Sequence, residues 1–77
     1  MALVSRMDAK ALNSVTRHTE APATYSILKD EHGNKILQID TYGSAERENP
    51  GKLSQSIRFS RRALQQLREI LESEIDA

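Results

Sequence analysis

From Lys52 to Phe59 hydrophobic and polar residues alternate with a period of two, and from Arg61 onward the period becomes about 3.6, which predicts a strand feeding directly into a helix. Leu53, Gln55, Ile57 and Phe59 fall on one side of that strand and Lys52, Ser54, Ser56 and Arg58 on the other. One face is therefore oily and the other polar and cationic. Ser60 stands at the junction and suits an N-cap, because its hydroxyl oxygen can accept from an early helical N–H that has no intrahelical partner. Beyond it Ala63, Leu64, Leu67, Ile70, Leu71 and Ile75 share one broad arc, with Arg61, Arg62, Gln65, Gln66, Arg68, Glu69 and Glu72 on the remainder. The arc is wider than a small sheet needs, so its surplus is expected to meet the same helix of a second subunit.

Upstream, Thr24–Lys29 and Lys35–Tyr42 read as two further strands around the turn-rich Asp30–Asn34, where Gly33 and Asn34 tolerate positive φ. In the second of these strands Leu37, Ile39 and Thr41 alternate against Ile36, Gln38, Asp40 and Tyr42. The polar connection Gly43–Gly51 ends in Pro50-Gly51, suited to a type II turn, and a bulge is expected near Gly43. The expected fold class is α+β: a small curved antiparallel β-meander followed by one C-terminal amphipathic helix, homodimeric. Residues 1–22 contain only the short apolar set Val4, Met7, Ala11, Leu12 and Val15 before Ala21-Pro22, enough for no more than a marginal helix. They are expected to form a flexible tail, leaving 23–77 as the folded domain.

At 77 residues the chain is one domain, near the size at which a single core is only marginally self-sufficient and association supplies the missing burial. Eleven basic residues balance eleven acidic ones, so any anion site must come from local clustering. The absence of cysteine removes disulfides and thiolate zinc sites. No apolar run approaches the roughly 20 residues that span a bilayer, and the first residues lack the apolar core of a signal peptide. A soluble cytoplasmic protein without membrane contact is the expectation. Catalysis is not expected, nor any cofactor or metal: His18 and His32 are isolated, Asp30 and Glu31 read as a solvated turn, and Pro50-Gly51-Lys52 lacks the rest of a phosphate loop.

Single-stranded nucleic acid is usually held by cations that follow phosphates and by flat side chains that stack on bases. Candidates are Lys29, Lys35, Arg47, Lys52 and Arg58 for phosphates, Ser54 and Ser56 as hydroxyl donors, and Tyr42 with His32 as stacking surfaces. The same residues also serve to keep an exposed sheet face soluble. A protein-interaction or structural dimer module without nucleic-acid binding is therefore the alternative.

The strand Tyr25–Lys29, the hairpin with Gly33, the strand Lys35–Tyr42, the loop closed by Pro50-Gly51-Lys52, the strand ending Ile57-Arg58-Phe59 and the helix with Leu64, Leu67 and Ile70 follow one another in a familiar order. In that order the segment from Tyr25 to Asp76 resembles the single-stranded DNA-binding domain of the positive cofactor four family of transcriptional coactivators and its bacterial relatives. The resemblance implies a homodimer with helices packed at its interface, and single-stranded DNA or RNA lying along curved sheets in a transcription-related role. It matches Lys35, Tyr42 and Lys52 to family positions that are respectively basic, aromatic and basic. The chain departs from the family where hairpin and post-strand aromatics fall at Glu31 or His32 and at Gly43, and where Glu46 and Glu48 flank Arg47 in a shorter loop.

Overall fold

The computed structural model describes residues 1–43 and 52–76. Its elements are β1 (Ala2–Val4), β2 (Ala23–Lys29), β3 (Lys35–Tyr42), β4 (Leu53–Phe59) and α1 (Arg61–Ile70), which runs on into one π-helical turn, Leu71–Ile75. The strands form a single sheet in the order β1-β4-β3-β2. The β2–β3 and β3–β4 pairs are antiparallel, and β1 runs parallel to β4.

The α+β class and the C-terminal helix agree with the sequence pattern, but the expected three-stranded antiparallel meander is corrected to a mixed four-stranded sheet. The extra strand comes from the stretch expected to be a flexible tail. Its three residues are too few to show a periodicity, and they are held because β4 would otherwise present an unpaired edge. Two anchors outside the ladder secure it. Ser60 donates its backbone N–H to the Val4 carbonyl at 3.0 Å, and the Gln66 carboxamide accepts from Met7 N at 2.8 Å while donating to Met7 O at 3.1 Å. Residues 9–22 are exposed and carry no regular element.

The β2–β3 hairpin is closed by Asp30, whose backbone N–H donates to the Asn34 carbonyl and whose Oδ1 accepts from the backbone N–H of His32 and Asn34. Gly33 takes the one positive φ of the turn, 80°, a conformation that glycine adopts without a Cβ penalty. Asn34, which also tolerates it, is not used so. A register irregularity between Thr41 and Tyr42 pairs Thr41 with Gln55 and Tyr42 with Leu53, making Ser54 the inserted residue of a bulge just ahead of Gly43. The expected Pro50-Gly51 turn and Arg47 lie outside the described residues.

Ser60 caps α1 as its position predicts, accepting from Ala63 N at 3.2 Å. The helix packs against β3 and β4. Among the described apolar residues only Ile36 (7% exposed) and Ala63 (0%) are buried. Along the helix arc burial fades, from Ala63 through half-buried Leu64 and Leu67 to Ile70, Leu71 and Ile75, which are exposed, the last at 67%. The chain exposes 6919 Å², against roughly 4,700 Å² for a compact monomer of this size. Its radius of gyration is 14.8 Å, where about 11.5 Å is usual at this length. The unpacked 9–22 segment contributes to that excess, and so do the uncovered apolar faces.

Candidate nucleic-acid interface

Residues paired across a sheet share a face, so the register sorts every strand position. One face carries Ala2 and Val4, then Gln55, Ile57 and Phe59, then Lys35, Leu37, Ile39 and Thr41, then Ala23, Tyr25, Ile27 and Lys29. This is the oily face. It is incompletely covered: Tyr25 and Ile27 are exposed, and Met1, Ala2, Ile39, Thr41, Gln55 and Ile57 line an open groove of about 550 Å³.

The opposite face carries Leu3 from β1, Ser56 and Arg58 from β4, Ile36, Gln38, Asp40 and Tyr42 from β3, and Thr24, Ser26 and Leu28 from β2; the bulge also brings Leu53 here, opposite Tyr42, and so corrects the alternation that placed it on the oily side. Here the polar side chains connect. Arg58 Nε donates to Gln38 Oε1 at 2.8 Å, and Gln38 Nε2 in turn donates to Asp40 Oδ1 at 3.0 Å and Oδ2 at 3.2 Å. The Ser56 hydroxyl donates to Asp40 Oδ1. Asp40 thus orients the Gln38 amide, whose oxygen is presented to Arg58 and holds the guanidinium over the middle of the sheet. A guanidinium bound through Nε retains its terminal fork as donors for an oxyanion. Beside this row, the Tyr42 hydroxyl lies 2.9 Å from Thr24 Oγ1 and ties the aromatic ring to β2.

The residues picked from sequence are therefore split by the fold. Ser56, Arg58 and Tyr42 come together on the polar face. Lys29 and Lys35 are register partners on the oily face at the hairpin end, and neither forms an ion pair among the described residues. Lys52 stands at the start of β4, at the far end of β3 from Lys35 and some 23 Å away by strand rise. Ser54 lies in the bulge, and His32 contacts Glu31 at 3.6 Å in the hairpin turn.

Sequence inspection missed Gln38 and Asp40, the residues that position Arg58, because their part depends on which residue stands opposite which. The signal was a Gln and an Asp two apart on the polar side of a central strand. It also passed over Tyr25, which is 75% exposed and the more accessible of the two tyrosines.

Among the described residues no group of three or more His, Asp or Glu could hold a metal ion, and no helix is long and apolar enough to cross a membrane. No family model, no curated protein and no solved structure matches the chain.

Proposed function

We propose that two copies of this chain associate through the uncovered helix arc and oily sheet face, and that the polar sheet faces bind single-stranded nucleic acid with little sequence specificity. The observation that carries the binding is the Arg58–Gln38–Asp40–Ser56 row. It fixes a half-buried guanidinium on the polar sheet face through Nε, which leaves the terminal fork to phosphate, next to Ser56 and the Tyr42 ring. Association is supported by a core of two buried apolar residues among those described and by the exposed Ile70, Leu71 and Ile75, which together leave one chain short of the burial that a stable fold needs. The role is one of binding rather than catalysis, in keeping with a transcription-related regulator of the family that the segment from Tyr25 to Asp76 resembles.

A protein-interaction dimer without nucleic-acid binding is the second reading, favoured by the Asp40 carboxylate in the middle of the polar face and by the placement of Lys29 and Lys35 on the other face. Fluorescence anisotropy with labelled single-stranded DNA and RNA at two salt concentrations separates the two. Binding that weakens with salt and is lost in Lys52→Glu/Arg58→Glu supports the first. A wild-type dimer that binds neither polymer up to about 100 µM, the weak end of non-specific association, supports the second.

A further inference from the structure

The strand order leaves β2 at one edge of the sheet, and the two ends of the β2–β3 ladder fix which of its backbone groups point outward. Tyr42 donates its backbone N–H to the Pro22 carbonyl at 3.1 Å, and Asp30 donates to the Asn34 carbonyl at 2.8 Å. Even-numbered residues of β2 therefore bond to β3, and Ala23, Tyr25, Ile27 and Lys29 turn their N–H and C=O groups away from the sheet. No loop or side chain among the described residues takes up these groups. The usual protections of an edge are sparse here: the register with β3 runs unbroken from Ala23 to Lys29, without a bulge, and the one charge on β2 is Lys29 at its end. Tyr25 and Ile27, both exposed, add apolar surface beside the outward backbone.

We infer that β2 pairs antiparallel with β2 of a second copy about a two-fold axis at Ser26, joining two sheets edge to edge. A second copy suits this edge because the edge complements itself. Centred on Ser26, the whole of Ala23–Lys29 overlaps with its mate, Tyr25 meets Ile27 of the copy, and Ala23 meets Lys29. Each of these sets one outward-facing residue against another, so each pair exchanges both backbone bonds. Aromatic against β-branched is a favoured cross-strand pair, and symmetry supplies it twice. A centre at Ile27 would set Tyr25 against Lys29, and a centre at Tyr25 would leave Ile27 against Ala23. Ser26, Gln38 and Arg58 are register neighbours across β2, β3 and β4, so the pairing carries this polar row into the copy. Both Arg58 residues then share one face, about 24 Å apart by strand spacing. The contact is separate from the helix arc and goes beyond the association proposed above; where both form, each chain touches one copy at β2 and another at the helix.

The chain has no cysteine, so a single introduced thiol reports on its own position. The test oxidises Ser26→Cys, Thr24→Cys and Leu28→Cys variants of the full chain with copper–phenanthroline and follows covalent dimer by intact mass spectrometry. Position 26 faces its symmetry mate in a non-hydrogen-bonded pair, with Cα atoms about 4.5 Å apart, within the reach of a disulfide. Positions 24 and 28 each lie about 14 Å from their own mates along the strand, beyond that reach, yet opposite one another across the axis. Ser26→Cys should cross-link on the order of tenfold faster than Thr24→Cys alone or Leu28→Cys alone. Mixed one to one, the last two should link to each other at a rate comparable with Ser26→Cys. Adding Ile27→Lys to the Ser26→Cys chain sets a charge on the outer edge and should bring its rate down to that of Thr24→Cys. A Ser26→Cys rate no higher than that of Thr24→Cys, a mixture no faster than its components, or a fast rate that Ile27→Lys leaves unchanged overturns the pairing. Each outcome is read at β2 alone, so failure here leaves the helix-mediated dimer and the polar-face binding standing, and failure of those leaves the edge contact standing.

Discussion

Replacing Gln66 by Leu should release the N-terminal strand without unfolding the sheet. The Gln66 side chain makes two hydrogen bonds to the backbone of Met7, at 2.8 and 3.1 Å, and both residues are half-buried. Each bond contributes about 0.5–1.5 kcal/mol net, so losing both costs the docking of residues 2–7 about 1–3 kcal/mol. Because residues 9–22 are exposed and unpacked, the segment can open alone, and the loss appears as local rather than global destabilisation. At a tenfold change per 1.4 kcal/mol, amide protection at Met7 and Ser60 should fall roughly 5- to 150-fold. The Ser60 amide reports on β1 because its acceptor is the Val4 carbonyl. Native-state hydrogen exchange measures this residue by residue, with Gln65→Leu as the exposed control. If Ser60 keeps its protection while Met7 loses it, β1 is held by the β4 ladder alone. If protection falls equally through the β2–β3 ladder, the segment is not a separate opening unit. Either result refutes the reasoning.

Ser60→Ala removes the acceptor for Ala63 N and the donor to the Ser5 carbonyl. It should cost about 1 kcal/mol and lower the thermal midpoint by about 4–8 °C for a domain of this size, read by circular dichroism. Gly33→Ala should destabilise by roughly 1 kcal/mol from backbone strain at φ 80°, since an added Cβ meets no atom within 4 Å; an unchanged urea midpoint would contradict the left-handed turn. Gln38→Leu should leave the fold intact and weaken single-strand affinity roughly 5- to 10-fold by unpinning Arg58, measured by anisotropy, and unchanged affinity would remove Gln38 from the site.

Much of this fold is legible in the sequence because its cues are local. The change of period at Ser60, the glycine in the first hairpin and the alternation of β3 each depend on residues within one turn or strand, and each matches the structure. What was illegible is what depends on long-range pairing. Strand β1 is defined by β4, more than fifty positions away, and Met7 by Gln66, with a separation of 59. The split of the lysines has the same origin. Lys29, Lys35 and Arg58 look equivalent along the chain, yet pairing Lys29 with Lys35 and Gln38 with Arg58 sends them to opposite faces.

That split fixes how strongly salt should act on binding. If a strand runs along the polar face and on past the start of β4, each chain offers Arg58 and, at the opposite end of β4, Lys52, or four cations per dimer. At about −0.7 per phosphate neutralised for single strands, the slope of log affinity against log salt is then about −2.8, and affinity falls roughly 50-fold between 50 and 200 mM. Were Lys29 and Lys35 to contact phosphate as well, eight cations would give a slope near −5.6 and a loss of roughly 2,000-fold over the same range. The oily face would then have to carry nucleic acid too and could not be the surface on which copies meet. A titration of affinity against salt thus assigns the two faces in one experiment. A slope near −2.8, unchanged by Lys29→Gln/Lys35→Gln, leaves the oily face to the second copy, and a slope near −5.6 that this variant halves removes the physical basis for the division.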